Sequence, residues 1–361
     1  MSINLETFNR AAAGSRAAGG AKIECVAIRS LCGLQATFCN YGARLIELIA
    51  PDAKGNPGDV VLGYSDLNGY LKGQTEMGAL VGRVANRIGK GRFTLDTNTY
   101  RLALNDGVNH LHGGLGGTMR RAFGVLKSGQ SEVVFRLQLR DGEDGYPGNV
   151  NLVVVYAFLE GGRLRMSIRA ETDRATPVNF CNHVYFNLAD DDTILDHQLS
   201  INAKFYTPVD EHLIPTGEIS SVRRTPFDFT KAVKIGERIE QHHEQLDYGR
   251  GYDHNFVLDK SNQRNFHGET LAAKVRAPSS GRTLEIWTTE PGVQFYSGNF
   301  LGQSLKPAGR RPLIRRSGFC LETQHFPDSI NKSWFPNTIL RPGELFSSST
   351  TNIFGNARVS A

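Results

Sequence analysis

Long apolar runs are missing from this chain of 361 residues. The longest apolar stretch, residues 152–159, is far shorter than the roughly 20 residues that a membrane-spanning helix needs. The sequence also lacks an N-terminal basic segment followed by an apolar one, the mark of a secretory signal. We therefore expect no membrane partner and a cytoplasmic location.

The cysteine pattern of a disulfide-stabilised domain is also missing. The chain has five cysteines, an odd number, and no Cys-x-x-Cys motif. Disulfide-stabilised secreted domains are usually small and carry an even number of cysteines. The pattern favours reduced thiols in a cytoplasm, although an export signal ahead of this sequence would leave it unchanged.

Excess charge of one sign is small, at +5 from 41 Lys and Arg against 36 Asp and Glu. The basic residues form scattered pairs and no stripe, so we expect no nucleic-acid partner. The glycines at 113–117 do not have the spacing of a dinucleotide fingerprint, and no Walker loop is present. Nucleotide cofactors are therefore not expected.

Period-two alternation of apolar and polar residues is plentiful, whereas helical periodicity is rare. Residues 133–140 and 164–171 alternate clearly, and residues 152–159 between them are apolar on both faces, as a central strand would be. Only residues 231–245 suggest a short helix. We predict an all-β fold of two large packed antiparallel sheets, a β-sandwich, in a single domain over residues 23–361 after a flexible lead-in over residues 1–22.

Polar side chains are concentrated between residues 82 and 114. Asn86, Arg87, Asn109, His110 and His112 lie among glycines, which let the backbone turn tightly and a ligand approach closely. A segment that only completed a core would not need so many groups that must be hydrogen-bonded. This segment predicts a site for a small, hydroxyl-rich molecule.

Four titratable residues stand beside small or aromatic neighbours and are candidates for chemistry: His112, His183, Asp253 and Glu322. Glu322 lies in a strand-like segment, where a carboxylate is costly to bury without a partner. Each also has a structural interpretation: a satisfied histidine, a carboxylate that points to water, or an aspartate that caps a turn. Arg87 could likewise belong to a surface salt bridge.

A metal site is a weaker interpretation. The pairs that suggest it are His110 with His112, His242 with His243, and Glu322 with His325. No compact ligand set such as His-Glu-x-x-His is present, so we expect no metal.

Taken together, these segments resemble the aldose 1-epimerases, also called galactose mutarotases, almost from end to end. The matching segments are Gly-Arg-Val-Ala-Asn-Arg-Ile at 82–88, Leu-His-Gly-Gly at 111–114, Asn-His-Val-Tyr-Phe-Asn-Leu at 182–188, Tyr-Thr-Pro-Val-Asp at 206–210, Ile-Pro-Thr-Gly-Glu at 214–218, Thr-Pro-Phe-Asp-Phe at 225–229, Gly-Tyr-Asp-His-Asn-Phe at 251–256, Gly-Val-Gln-Phe-Tyr-Ser-Gly-Asn at 292–299, Leu-Glu-Thr-Gln-His-Phe-Pro-Asp at 321–328, Pro-Asn at 336–337 and Leu-Arg-Pro-Gly-Glu at 340–344. So many ordered segments are far more specific than any single motif.

The resemblance implies a large "supersandwich" of β-sheets with an open cleft for a sugar. It implies that Glu322 is the general base and His183 the general acid of anomer interconversion. It also implies that His112 and Asp253 hold the sugar near the reacting carbon. Asn86, Arg87 and Gln294 correspond to further hydroxyl contacts. No cofactor is implied, and the chain is expected to be a monomer or homodimer.

Ordinary pKa values suit this chemistry, since a glutamate with a pKa of ~4.3 is ionised at neutral pH and a histidine with a pKa of ~6.5 is partly protonated. A carboxylate such as Asp253 would favour protonated His183 if the two lie close. Sugar C–H faces pack on aromatic rings, and the candidate rings are Tyr185, Phe186, Phe256 and Phe295.

One departure from the family pattern follows the Leu-His-Gly-Gly motif. The family commonly has Gly-Phe and then Trp, whereas residues 116–123 read Gly-Gly-Thr-Met-Arg-Arg-Ala-Phe. The preferred sugar, galactose or glucose, therefore stays open.

Three other functions remain open. One is an epimerase of the same fold for hexose 6-phosphates, with a cationic pocket from the arginines at 120–121 or 310–311. The others are a non-catalytic sugar-binding protein and a metal-dependent β-barrel isomerase or oxygenase.

Overall fold

A computed structural model describes Phe8 and residues 22–73, 75–261, 267–302 and 310–356. The predicted lead-in over residues 1–22 lies outside this part except for Phe8 and Lys22, and the single domain stays a prediction. No helix in the described ranges is long and apolar enough to cross a lipid bilayer.

The described residues form 26 strands. They are β1 (Cys25–Arg29), β2 (Gln35–Cys39), β3 (Arg44–Pro51), β4 (Pro57–Asp59), β5 (Leu80–Val81), β6 (Arg87–Ile88), β7 (Arg92–Leu95), β8 (Asn98–Arg101), β9 (His110–Leu111), β10 (Gly124–Ser128), β11 (Glu132–Leu139), β12 (Val150–Leu159), β13 (Arg163–Thr172), β14 (Thr176–Pro177), β15 (Cys181–Asn182), β16 (Gln198–Ile201), β17 (Ala203–Thr207), β18 (Ser220–Ser221), β19 (Val233–Lys234), β20 (Asp253–Leu258), β21 (Thr270–Arg276), β22 (Arg282–Thr288), β23 (Gly292–Tyr296), β24 (Cys320–Gln324), β25 (Ile339–Leu340) and β26 (Phe346–Asn356).

The largest sheet has nine antiparallel strands in the order β10-β11-β12-β13-β26-β22-β21-β16-β19. Its strands β11, β12 and β13 coincide with the three alternating or apolar segments predicted from the sequence. Along β12 every second residue is buried, and the strand lies between β11 and β13, so its prediction as a central strand is confirmed.

A five-stranded antiparallel sheet, β18-β17-β20-β23-β24, packs against the large sheet. Thr323 of β24 contacts Thr350 of β26, with hydroxyl oxygens 2.6 Å apart. A third sheet, β1-β2-β3-β4, contributes Phe38 to the same apolar core. Apolar side chains from all three sheets share one continuous core, and the predicted all-β sandwich is confirmed.

Helices are few and short. Helix α1 (Leu67–Lys72) begins at Asp66, whose carboxylate accepts the Gly69 N–H, and helix α2 covers Glu244–Gly249. The helix predicted over 231–245 is largely wrong, because that range holds β19, a 3₁₀ turn at Ile235–Glu237 and only the start of α2.

Packing between sheets generates a stability prediction. Phe38 is fully buried and stacks on Tyr156 of β12, with ring centroids 4.3 Å apart. Phe38→Ala should lower the free energy of unfolding by about 3–5 kcal/mol, because it leaves a cavity between β2 and β12. Denaturant unfolding checks this value. The exposed Leu126→Ala on β10 is the control, expected within about 0.5 kcal/mol of wild type. Equal losses in both variants would contradict this account of the core.

Candidate active site

An open cleft of about 260 Å³ lies on the five-stranded sheet, where Asp253, Tyr296 and Glu322 come from neighbouring strands. Segments outside the sheet supply the other walls. The residues that line the cleft are Thr75, Glu76, Asn86, Arg87, Leu111, His112, His183, Tyr185, Asp253, Tyr296, Phe300, Leu301 and Glu322.

Strand alternation separates the cleft face of this sheet from its core face. Tyr296 of β23 is directly opposite Asp253 of β20 and Cys320 of β24. The neighbouring residues in the strands, such as Phe295 and Leu321, point the other way and belong to the core. Two-residue periodicity thus places a carboxylate of β24 in the cleft while its neighbours stabilise the sandwich.

Glu322 and His183 form a buried pair, with Glu322 Oε1 3.6 Å from His183 Nε2. His183 directly follows β15, which pairs with β5, and its backbone N–H donates to the carbonyl of Ala79. The Cys181 thiol donates to Glu322 Oε2 over 3.4 Å, and Cys320 Sγ lies 3.5 Å from His183 Nδ1. Each member of the pair therefore has a second contact with a cysteine sulfur: the carboxylate with Cys181 and the imidazole with Cys320.

The Asn86 and His112 segments support each other beside this pair. Both residues have positive φ angles, 61° and 50°, a conformation that non-glycine residues rarely adopt. The Asn86 N–H donates to His112 Nδ1 (3.2 Å), and the His112 N–H donates to the Asn86 carbonyl (3.1 Å). A neutral imidazole that accepts at Nδ1 carries its proton on Nε2. His112 is thus a hydrogen-bond donor through Nε2, and its ring lies 5.2 Å from that of His183.

Arg87, Asp253 and Gln294 form the polar group on the other side. Arg87 Nε donates to Asp106 over 2.8 Å, and one of its terminal nitrogens lies 4.0 Å from an Asp253 oxygen. The Gln294 side-chain amide donates to Asp253 Oδ1 over 2.7 Å. This network fixes the Asp253 carboxylate at the wall of the cleft.

Burial shifts the pKa values of the pair away from the ordinary ones. Desolvation raises the pKa of Glu322 to about 8, and the negative charge of Asp253 adds to this effect. Desolvation lowers the pKa of His183 to about 4. The charge of Asp253 thus acts on the pKa of Glu322, and the pKa of His183 is lowered, so the protonated His183 expected if Asp253 lay close does not form. Because each site disfavours its own charged form, the pair holds one proton between these two pH values.

Desolvation is also the main cause of the pKa shifts of His112 and Asp253. It lowers the pKa of His112 well below its usual value, and the charges of His183 and Arg87 lower it further. It raises the pKa of Asp253, against the opposing effect of Arg87. His112 is therefore neutral at physiological pH.

Six of the seven predicted site residues line the cleft: Asn86, Arg87, His112, His183, Asp253 and Glu322. Gln294 is not among the lining residues and contacts Asp253 instead. Of the four candidate aromatic rings only Tyr185 lines the cleft, because Phe186, Phe256 and Phe295 are buried in the core.

Sequence reasoning missed several lining residues. Tyr296 could have been found, since it lies two positions after Gln294 in one strand and so shares its face. Glu76, Phe300 and Leu301 come from connecting segments, where no periodicity predicts the direction of a side chain.

The residues that the structure describes form no cationic pocket for a phosphate in the cleft. Among the residues that the structure describes, Arg87 is the only Lys or Arg that lines it, and Arg87 is paired with acidic groups. Arg121, Arg310 and Arg311 bind Glu143, Asp59 and Asp190 respectively, and none of them lines the cleft.

A β-sandwich with a buried carboxyl–imidazole pair in an open polar cleft is the arrangement of an acid–base enzyme for a small hydroxylated molecule. Comparison with known proteins agrees, as the family model for aldose 1-epimerase matches residues 24–352. The chain belongs to the aldose 1-epimerase family.

Curated relatives span nearly the whole chain. Bovine galactose mutarotase is 45% identical over 321 residues, 88% of this chain and 90% of the relative. Human galactose mutarotase is 43% identical over 350 residues, 96% of this chain and 98% of the relative. The crystal structure of an aldose epimerase homologue from C. elegans is 29% identical, with a TM-score of 0.85 over 93% of this chain and 99% of that one.

The pKa of Glu322 generates a prediction about stability. Its folded value of about 8 lies above the unfolded value near ~4.3, so stability is present at low pH and is lost as pH rises from ~4.3 through about 8. Glu322→Gln does not ionise and should be more stable than wild type at about pH 9, by at least about 1 kcal/mol, and equal to it near pH 4. Thermal unfolding across this range measures the difference. The exposed Glu211→Gln should track wild type. A constant difference between wild type and Glu322→Gln would contradict a buried, ionising Glu322.

Proposed function

We propose that this protein is an aldose 1-epimerase that interconverts the α and β anomers of free hexoses such as D-galactose and D-glucose. The observation that carries the proposal is the buried pair of Glu322 Oε1 and His183 Nε2, 3.6 Å apart in the cleft. A base and an acid this close can act on the two oxygens bound to one carbon, which is what anomer exchange requires.

In the proposed reaction Glu322 removes the proton of the C1 hydroxyl while His183 protonates the ring oxygen. The C1–O5 bond breaks and leaves an open-chain aldehyde. After rotation about C1–C2 the proton transfers reverse: His183 takes the proton of the C5 hydroxyl, and Glu322 returns one to the carbonyl oxygen. The pair ends in its starting state, so no cofactor or metal is required.

The single proton of the pair suits this cycle. In the empty cleft burial favours the neutral carboxyl and the neutral imidazole. A bound sugar donates a hydrogen bond from its C1 hydroxyl to Glu322 and accepts one at its ring oxygen from His183. Each contact stabilises the charged form of its partner, so substrate binding favours carboxylate and imidazolium.

Other groups position the sugar in this proposal. His112 donates through Nε2, and Asp253, held by Gln294, accepts from hydroxyl groups. Asn86 and Arg87 supply further hydroxyl contacts, and Tyr185 supplies an aromatic ring for the C–H face. Gln294 then acts by orienting Asp253 and does not line the cleft itself.

Polarimetry of freshly dissolved α-D-galactose and α-D-glucose tests the proposal. Wild type should accelerate the decay to equilibrium, and Glu322→Gln and His183→Asn should each lower kcat at least about 100-fold, because each removes one proton transfer. The exposed Glu211→Gln and His242→Asn are matched controls that should retain turnover.

Near wild-type turnover in either folded variant would reject the assigned roles. No acceleration by folded wild type would instead favour the phosphosugar or binding-only functions, and glucose 6-phosphate would be assayed next.

One observation favours a second candidate, a metal-dependent isomerase. Ligand atoms of His112, His183 and Glu322 lie within 4.8 Å of one another. Of the residues that suggested a metal from sequence, His112 and Glu322 belong to this cluster, whereas His110 contacts Tyr146 and His325 contacts Glu290. A ligand role for His112 through Nε2 would require a proton on Nδ1, and Nδ1 instead accepts the Asn86 N–H. The donor set therefore fits a metal poorly.

Chelation separates the two candidates. Prolonged incubation with EDTA, followed by removal of the chelator, should leave the rate of mutarotation unchanged, since the proposed proton transfers use only side chains. Loss of activity that Zn²⁺ or Mn²⁺ restores would favour the metal-dependent enzyme.

The remaining proposals concern context. We propose one catalytic domain over residues 23–361, present as a monomer or homodimer in the cytoplasm, a location favoured by the odd number of cysteines and the lack of a Cys-x-x-Cys motif in the sequence. Sedimentation analysis would establish the oligomeric state.

A further inference from the structure

Glu76 lines the cleft but has no part in the proton transfers described above. It lies in the segment that leads into β5 and is half-buried. Its backbone carbonyl accepts the Ala79 N–H over 2.8 Å, which closes a tight turn and fixes the base of the side chain. Among the described residues no side chain forms a hydrogen bond or ion pair with its carboxylate. The carboxylate is therefore an available acceptor in the cleft.

The negative charge of Glu76 acts on other groups of the cleft. Glu76 lines the cleft together with Glu322, Tyr185 and Tyr296, and its charge raises the pKa values of these three groups. Its own pKa is raised, mainly by desolvation. Glu76 is thus close enough to act on a bound sugar.

The lining of the cleft carries more carboxyl groups than arginines, although the charges of Arg44, Arg120 and Arg87 lower the pKa of Glu76 against the larger effect of desolvation. The cleft contains three carboxyl groups, those of Glu76, Asp253 and Glu322, and among the described lining residues a single arginine, Arg87. Arg87 is paired with Asp106. Nearby Arg44 is buried and donates to the carbonyls of Met77 and Met119, over 2.9 and 2.8 Å.

We propose that Glu76 is a specificity-determining residue, which accepts a hydrogen bond from a sugar hydroxyl and makes the cleft reject sugars that carry a carboxylate or a phosphate. The inference rests on the proposed function. Neutral aldoses gain a charge-assisted hydrogen bond, which is stronger than a neutral one. An anionic sugar meets a like charge in a partly desolvated cleft, where repulsion exceeds that in water.

The test compares kcat/KM for α-D-galactose and α-D-galacturonate in wild type, Glu76→Gln and the control Glu211→Gln, at about pH 8, where the carboxyl of galacturonate is ionised. Wild type should prefer galactose, and Glu76→Gln should reduce that preference about tenfold, through a higher KM for galactose, which loses a hydrogen bond, and a lower KM for galacturonate, which loses a repulsion. Glu211→Gln removes the same charge from an exposed site and should keep the wild-type preference.

A second variant tests the role of Glu76 in case Glu76→Gln alone changes the sugar preference too little to measure. Glu76→Lys places the opposite charge at the same position and should favour galacturonate further than Glu76→Gln does. A preference that stays within twofold of wild type in both variants, with galactose turnover intact, would overturn the role of Glu76 and leave the proposed function standing. Absence of wild-type turnover on both sugars would overturn both.

Discussion

The architecture of the site depends on one contact, the 3.6 Å approach of Glu322 to His183 beside a sheet that is otherwise packed for stability. Desolvation acts on both groups, raising the pKa of the carboxyl and lowering that of the imidazole, so that between these pKa values the pair holds one proton, on the carboxyl. An exposed pair would lose this coupling to solvent. The sandwich thus supplies a low-dielectric setting in which a small molecule can move the proton from one partner to the other.

Most of the neighbouring structure holds that pair in place. β24 and β15 belong to different sheets, and the cysteines beside the pair contact one partner each: Cys181 the carboxylate and Cys320 the imidazole. The left-handed backbone at Asn86 and His112 is costly and is held by two reciprocal hydrogen bonds. Stability is given up at these positions, and the broad apolar core between the sheets compensates for the loss.

Electrostatics divide the cleft into two functions. We propose that the proton of the pair serves anomer exchange, whereas the surrounding carboxyl groups, with Arg87 the only arginine among the described lining residues, select among sugars. Three of the four arginines that suggested a phosphosugar enzyme from sequence, Arg121, Arg310 and Arg311, form ion pairs and do not line the cleft, which shows that a local run of like charge says little about its partners in space.

Sequence alone determined the all-β class, because the two-residue periodicity of strands such as β12 and β13 is local and survives any arrangement of sheets. It also identified the polar residues of the cleft through ordered family motifs. Only the tertiary structure decided which aromatic ring faces the cleft, that Gln294 donates to Asp253, and that Glu76 lines the cleft. Those facts depend on contacts between distant segments and on burial. The same burial reversed the expected protonation of the catalytic pair, because desolvation is a property of the folded chain.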